Sequence, residues 1–297
     1  MQVHPVMLAH QVAPGELAGA WSWDPALLAV LAGSAVVYGW AAPRSRRTGR
    51  GRRAASFYAG LGVLFAALVS PLDALASATF SAHMAQHLLL MLVAAPLLVA
   101  GHPMATITPA LSPGARRSVV RASIRLRGPG HRLQHPLVVG LVGVLVLWTW
   151  HMPSLYEVAL RHAAVHALEH ATFLVAALLF WAVVLTSGQR RGAPRPVAVL
   201  LVFATGVQST ALGAILVFAS GVLYPEQTAG ATAWGLSPLE DQRLAGALMW
   251  VPPAIVYIAV MAVLLARWFS EMPPPSSIEA ASDPVEPLVA RSGGGGR

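Results

Sequence analysis

Two stretches of the sequence place histidines four residues apart. His83 and His87 lie at the start of the apolar run "SAHMAQHLLLMLVAAPLLVAG", and His166 and His170 lie in "RHAAVHALEH". Residues four apart on an α-helix share one face and lie about 6 Å apart along its axis. If the two helices are neighbours, these four imidazoles can converge on one metal ion.

Other potential ligands accompany the two histidine pairs. Met84 and Met91 offer soft thioethers on the helix of His83 and His87, and His151 lies in "WTWHMPSLYE" at the end of another apolar run. Glu169 is expected to accept the second ring N–H of a ligating imidazole, the usual way in which such a ring is oriented. The candidate metal ligands are therefore His83, His87, His151, His166 and His170.

The ligand types favour copper. The chain has no cysteine, which excludes disulfides, thiolate metal sites, iron–sulfur clusters and covalently attached c-type haem. Histidine with available methionine suits copper better than magnesium, and zinc also accepts histidine ligands. An isolated histidine near the lipid headgroups is more simply a hydrogen-bonded residue. Four at one depth, each costly there, indicate a metal or cofactor site.

The composition is that of a membrane protein. Of 297 residues, 56% are hydrophobic and 11% are charged, whereas soluble domains carry about 25% charged residues. Seven apolar segments approach the roughly 20 residues that a helix needs to cross a bilayer. We therefore predict an all-α, polytopic membrane bundle of seven transmembrane helices. The segments lie near residues 24–42, 55–72, 80–101, 136–152, 163–187, 196–223 and 244–269.

The arginines predict the orientation of this bundle. All 20 basic residues are arginine, and they concentrate after the first, third and fifth segments. The positive-inside rule then places the N-terminus outside and the C-terminus in the cytoplasm, with the histidine pairs near the outer boundary. We interpret the net charge of +8 as orientation and contact with lipid headgroups, not as nucleic-acid binding.

These segments divide the chain into three parts. Residues 1–23 are expected to form a short extracytoplasmic segment, and residues 24–270 the seven-helix transmembrane domain. Residues 271–297, rich in Pro, Ser and Gly, are expected to form a disordered cytoplasmic tail.

Polar residues also occur away from the histidines. Gln208, Ser209 and Thr210 fall near the middle of the sixth segment, where polar side chains need a partner. An interhelical hydrogen bond or a supporting role beneath the histidines would supply it. Asp241 opens the seventh segment, where a carboxylate stabilises a helix N-terminus, so helix capping explains it.

The chain resembles the CtaG-type cytochrome c oxidase assembly factors over residues 21 to about 270. The resemblance is carried by "WSWDPALLAVLAGSAVVYGW", "FSAHMAQHLLLMLVAAPLLVAGHP", "WHMPSLYEVALRHAAVHALEHATFLVAALLFW" and "WGLSPLEDQRLAGALMWVP". By this resemblance, the first motif of the family contains His83, Met84, Gln86 and His87. The second contains His151, Pro153, Tyr156, His166, Glu169 and His170. The third contains Asp241, Gln242, Gly246, Met249 and Trp250.

This resemblance implies a non-enzymatic, multi-pass protein of the bacterial plasma membrane. Its partners would be cytochrome c oxidase subunits, and its role would be copper delivery or oxidase maturation. The residues expected to act as secondary ligands, or to support the metal ligands, are Met84, Gln86, Met91, Glu169 and Asp241.

Other functions stay open at this point. A b-type haem carrier, in which two histidines from facing helices bind haem b, fits a helical bundle and is the alternative hypothesis. A di-metal oxygenase would need more ligands near the cytoplasmic side. A transporter would need an acid or base in mid-membrane to couple ions, and we find none in the seven segments.

Overall fold

A computed structural model describes residues 12–44, 48–125, 135–189 and 192–272. Within these ranges the chain is helical and contains no strand, which confirms the all-α prediction. Most of the predicted tail, residues 273–297, lies outside the described residues. The helices are α1 (Pro25–Ala41), α2 (Arg50–Leu68), α3 (Pro71–Ala78), α4 (Phe80–Leu88), α5 (Ala95–Ala100), α6 (Pro103–Ile107), α7 (Pro113–Arg125), α8 (Pro136–Trp150), α9 (Pro153–Arg161), α10 (Ala163–Thr186), α11 (Arg195–Phe218), α12 (Pro225–Thr228) and α13 (Pro238–Phe269).

Five helical segments of the described chain are long and apolar enough to cross a membrane. They are Pro25–Arg44, Phe80–Ala110, Ala163–Thr186, Arg195–Phe218 and Pro238–Phe269. Two bent helix pairs raise this number to seven if each pair forms one span. The protein is therefore a multi-pass membrane protein with five to seven spans, a range that includes the predicted seven. Its orientation stays a prediction.

The two bent pairs are α2 with α3, which meet at 46°, and α8 with α9, which meet at 74°. Pro71 and Pro153 occupy the first positions of α3 and α9, where a missing N–H is tolerated. Because a residue before proline avoids helical geometry, each helix breaks there. Helix α8 has 15 residues and a length of about 22 Å, less than the roughly 30 Å of a bilayer core.

Prolines inside the spans, among them Pro96, Pro252 and Pro253, leave backbone carbonyls without their usual donors, and two of these carbonyls accept from a side chain of another helix. A π-helical turn covers Leu89–Ala94. In such a turn, a carbonyl accepts from the N–H five residues later. For the Met91 carbonyl that residue is Pro96, which has no N–H. Trp181 donates to that carbonyl instead, with an Nε1 to oxygen distance of 2.8 Å. Neighbouring helices are thereby tied together at the points where a proline interrupts their hydrogen bonding.

The second carbonyl shows the same arrangement on α13. Pro253 cannot donate to the carbonyl of Met249, four residues earlier, and Ser209 of α11 donates to it over 2.8 Å. This is the interhelical hydrogen bond expected near the middle of the sixth segment. The same two helices approach closely at Gly213 and Gly246, where an added Cβ would lie 2.7 Å from the other glycine's carbonyl oxygen.

Candidate metal centre

Helices α4 and α10 bring four imidazoles and one carboxylate into the interior of the bundle. His83 and His87 lie on α4, and His166, Glu169 and His170 lie on α10. All five side chains are buried, with exposed fractions between 1% for His83 and 9% for His170. Burial of so many polar groups in one place is costly unless they have partners.

The four imidazole rings form one cluster. Within a helix, the ring centroids are 4.4 Å apart for His83 and His87 and 4.2 Å apart for His166 and His170. Across the helix interface, His83 lies 5.3 Å from His166 and 5.9 Å from His170, while His87 lies 5.1 Å from His170. The two pairs with four-residue spacing thus face each other.

The ligand atoms form two groups that share His83. In the first group, atoms of His83, His166 and His170 all lie within 4.8 Å of one another, and in the second, so do atoms of His83, His87 and Glu169. Oε1 of Glu169 lies 3.9 Å from Nε2 of His83 and 3.7 Å from Nε2 of His87. These distances are too long for hydrogen bonds. They are short enough for both atoms of each pair to be ligands of one ion, because metal–nitrogen bonds are about 2 Å long.

The atoms that face this space have no hydrogen-bond partner among the described residues. They are Nε2 of His83, His166 and His170, both ring nitrogens of His87 and both carboxylate oxygens of Glu169. A buried polar atom without a partner costs about 1–3 kcal/mol, and more when it is charged. A metal cation would bind one atom from each ligating side chain and so compensate part of this cost. The donor set of imidazoles and a carboxylate therefore fits a metal ion.

Two roles were expected for Glu169, as a secondary ligand or as the acceptor of an imidazole's second N–H. Its carboxylate lies beside Nε2 of His83 and Nε2 of His87. Glu169 is therefore placed as a potential ligand.

His151 lies next to the cluster but belongs to neither group of ligands. Its ring is buried, and its Nδ1 lies 2.7 Å from the carbonyl oxygen of Leu147. The ring of Phe173 packs near both histidines, with its centroid 4.7 Å from that of His87 and 6.1 Å from that of His151. His151 Nε2 has no hydrogen-bond partner in the described chain.

The other residues near His83 on α4 pack or tether the helix. Met84 is buried in an apolar cluster with Phe80 and Tyr156. Gln86 Nε2 donates to the carbonyl of Ala67 and to Oδ1 of Asp73, each over 2.8 Å, and so ties α4 to α2 and α3.

Met91 lies in the π-helical turn Leu89–Ala94, beyond the end of α4. Its side chain is half-buried and lines a partly open cavity of about 70 Å³ together with Phe173, Gln208 and Trp181.

Asp241 caps the helix that carries His83 and His87. It is fully buried, and its two carboxylate oxygens accept hydrogen bonds from the backbone N–H groups of Phe80 and Ser81 and from the Ser81 hydroxyl. Its own helix, α13, is capped by Ser237 and Glu240 in a reciprocal capping box. Asp241 therefore stabilises the N-terminus of α4, a role that its position at the start of α13 did not indicate.

Two tyrosines near the site could not be found from spacing. The Tyr156 ring lies 5.4 Å from that of His83, and its hydroxyl has no hydrogen-bond partner in the described residues. Tyr224, in the segment between α11 and α12, donates to the carbonyl of His151 over 2.6 Å. Burial raises the pKa of Tyr224 to about 12, so it stays a neutral donor at physiological pH. The only signal for Tyr156 was its place in the resemblance.

The segment containing α12 closes over the start of α4. Gln227 Nε2 donates to the carbonyls of Ala76 and Thr79 over 2.6 and 3.2 Å. Gly230 lies so close to Ala78 that an added Cβ would be 2.4 Å from its carbonyl oxygen. Arg161 of α9 forms an ion pair with Glu226 of α12. These contacts cover the end of the bundle at which the histidines lie.

Comparison with known proteins identifies relatives of this chain. A family model described as cytochrome c oxidase caa3 assembly factor matches residues 36–271. An uncharacterized protein of Mycobacterium bovis and one of Mycobacterium tuberculosis are each 27% identical to the chain. Each match covers 84% of this chain but 39% of the relative, so the chain spans about two fifths of the relatives' length. No solved structure matches the chain.

Proposed function

The chain belongs to the cytochrome c oxidase caa3 assembly factor family, and we propose that it assists oxidase assembly by holding copper in its buried histidine cluster. The copper is cargo that passes to an oxidase subunit in the same membrane. We place the protein in a bacterial plasma membrane with the cluster on the outer side, as the arginine distribution predicts. Its role is not catalytic.

One observation carries the metal part of this proposal. Nitrogens of four buried imidazoles and the oxygens of a buried carboxylate have no hydrogen-bond partners in the described chain, and atoms of these residues lie within 4.8 Å of one another in two groups of three. Imidazole ligands without thiolates suit copper, although geometry alone would also suit zinc. The family's association with a haem–copper enzyme supports copper as the ion.

A b-type haem is less well supported than copper. A porphyrin needs a slot between the helices that contribute its two histidines. Here the imidazoles of α4 and α10 pack at centroid distances of 5.1 to 5.9 Å. The Glu169 carboxylate lies within 4 Å of Nε2 of both His83 and His87. This arrangement favours an ion over a macrocycle.

The surrounding residues would hold the ligands and control access to them. Asp241 and Gln86 fix α4 at its first turns, which sets the direction of the His83 and His87 side chains. The cover formed by α3, α9 and α12 keeps water from the cluster, and its opening would be needed for copper to enter or leave. Because this cover lies at one end of the bundle, a partner could receive copper there.

The test compares a double variant, His83→Ala with His87→Ala, with His162→Ala. His162 is an exposed histidine of the same sequence stretch and lies outside the cluster. Alanine is a good helix former and removes buried polar groups, so the double variant should insert normally. The purified double variant should lose bound copper, measured by elemental analysis of protein isolated with a tag that contains no histidine.

In cells, the double variant should leave the partner oxidase with haem and subunits but with little copper. Excess copper in the medium should restore part of the activity by mass action. Normal oxidase copper and activity with a well-expressed double variant would contradict the proposal. Loss of the oxidase subunits themselves would indicate a role in subunit folding instead.

A further inference from the structure

The two groups of ligands differ in charge. His83 belongs to both, but its companions are two neutral imidazoles in one group and an imidazole with the Glu169 carboxylate in the other. His166 and His170 complete the first group, and His87 and Glu169 complete the second. The cluster therefore offers an ion two sets of three ligands, one neutral and one anionic.

The anionic set contains a buried charge that needs a cation to compensate it. The Glu169 carboxylate is 1% exposed, and neither of its oxygens accepts a hydrogen bond in the described residues. A buried carboxylate without donors is strongly destabilising unless a cation compensates it. Its attraction for an ion grows in proportion to the ion's charge. A divalent ion thus gains about twice the electrostatic attraction that a monovalent ion gains.

The neutral set favours a monovalent ion. Three imidazoles and no charged ligand leave the whole charge of the ion in a buried, apolar environment, which is less costly for a monovalent ion. Imidazole is also a better partner than carboxylate for the softer Cu(I) ion, whereas carboxylate oxygen suits harder ions.

We propose that Glu169 makes this cluster distinguish divalent from monovalent ions. Cu(I) is held by His83, His166 and His170, while a divalent ion, Cu(II) or Zn(II), is held by His83, His87 and Glu169. This inference rests on the proposed metal-binding function and specifies which ligands serve which ion. His83 takes part in both sets, so one ion occupies the cluster at a time.

The first test replaces Glu169 by Gln, which keeps the shape of the side chain and removes its charge. Purified protein without a histidine tag is titrated against a Cu(I) chelator in the absence of oxygen, and separately against a Zn(II) chelator. Glu169→Gln should weaken Zn(II) binding by at least the roughly 10- to 100-fold that follows loss of a residue that only supports a ligand, and should leave Cu(I) binding close to that of the wild type. Glu157→Gln is the matched control, because Glu157 belongs to neither group of ligands.

The second test is the reciprocal change. Replacing both His166 and His170 by Ala should weaken Cu(I) binding more than Zn(II) binding. This variant keeps the prediction testable if Glu169→Gln does not fold, and circular dichroism establishes folding in each case.

The outcomes separate the two proposals. Equal losses of Cu(I) and Zn(II) affinity in Glu169→Gln, or no loss of either, would overturn the discrimination by charge and leave a single shared site. A wild-type protein that binds neither ion would overturn the copper-holding function itself, and the inference with it.

Discussion

Asp241 Oδ2 accepts a hydrogen bond from the backbone N–H of Phe80 at 2.7 Å, although the two residues are 161 positions apart. Phe80 opens α4, so a residue of α13, the last long helix of the described residues, caps the helix that presents His83 and His87. A carboxylate at a helix N-terminus satisfies backbone donors and interacts favourably with the helix dipole. The position of the histidines therefore depends on a residue on another helix.

Replacing Asp241 by Ala should destabilise the protein and weaken metal binding. The change leaves the buried N–H groups of Phe80 and Ser81 without an acceptor, and each such group costs about 1–3 kcal/mol. Asp241→Asn keeps one acceptor and should show a smaller effect. Thermal unfolding and metal titration of the purified protein measure both consequences.

The control for this prediction is Glu240→Gln, one residue away. Glu240 is exposed and caps its own helix through Ser237, so its replacement should not affect metal binding. Unchanged metal affinity and stability in Asp241→Ala would show that α4 does not need this cap.

Cysteine labelling can test the predicted orientation without prior removal of native cysteines, since the chain has none. Two positions suit the labelling. Ala233 is exposed in the segment that covers the histidines, and it is replaced by Cys in the first variant. Gly114 lies near the start of α7, where an added side chain meets no neighbour, and it is replaced by Cys in the second variant. In spheroplasts, a membrane-impermeant maleimide should label the first variant and not the second. The reverse pattern would place the histidine cluster on the cytoplasmic side and contradict the positive-inside assignment.

A double-mutant cycle can test the hydrogen bond between Ser209 and the Met249 carbonyl. Ser209→Ala should lower the free energy of unfolding by about 0.6 kcal/mol, the average measured for such bonds within membranes, and by no more than about 1.7 kcal/mol. The loss should be smaller in a Pro253→Ala background, because residue 253 then has an N–H that can donate to Met249. Equal losses in both backgrounds would show that Ser209 does not compensate for the proline.

Tyr224 should give the protein a specific sensitivity to alkaline pH. Its pKa is about 12 in the folded protein and about 10 in an unfolded chain, so the folded state retains the proton to higher pH. The resulting contribution to stability is present below about pH 10 and is lost as the pH rises through about 12. Tyr224→Phe should remove this part of the pH dependence, measured by thermal unfolding between these limits. An identical profile for both proteins would contradict it.

The sequence by itself indicated the class of fold and the place of the candidate site. Low charge content and seven apolar segments indicated a membrane bundle, because a bilayer requires long runs of apolar residues whatever the packing between helices. The four-residue spacing of His83 with His87 and of His166 with His170 put each pair on one helix face, since the period of a helix is local. The resemblance to oxidase assembly factors agreed with the family match.

The tertiary structure decided how these parts combine. Glu169 lies among the potential ligands, Met91 falls in a π-helical turn, and Phe173 packs against both His87 and His151. Asp241 and Tyr224 reach backbone groups 161 and 73 residues away. Such contacts depend on which helices are neighbours and on how each is rotated. Periodicity along the chain contains neither piece of information, because both are set by side-chain packing between helices.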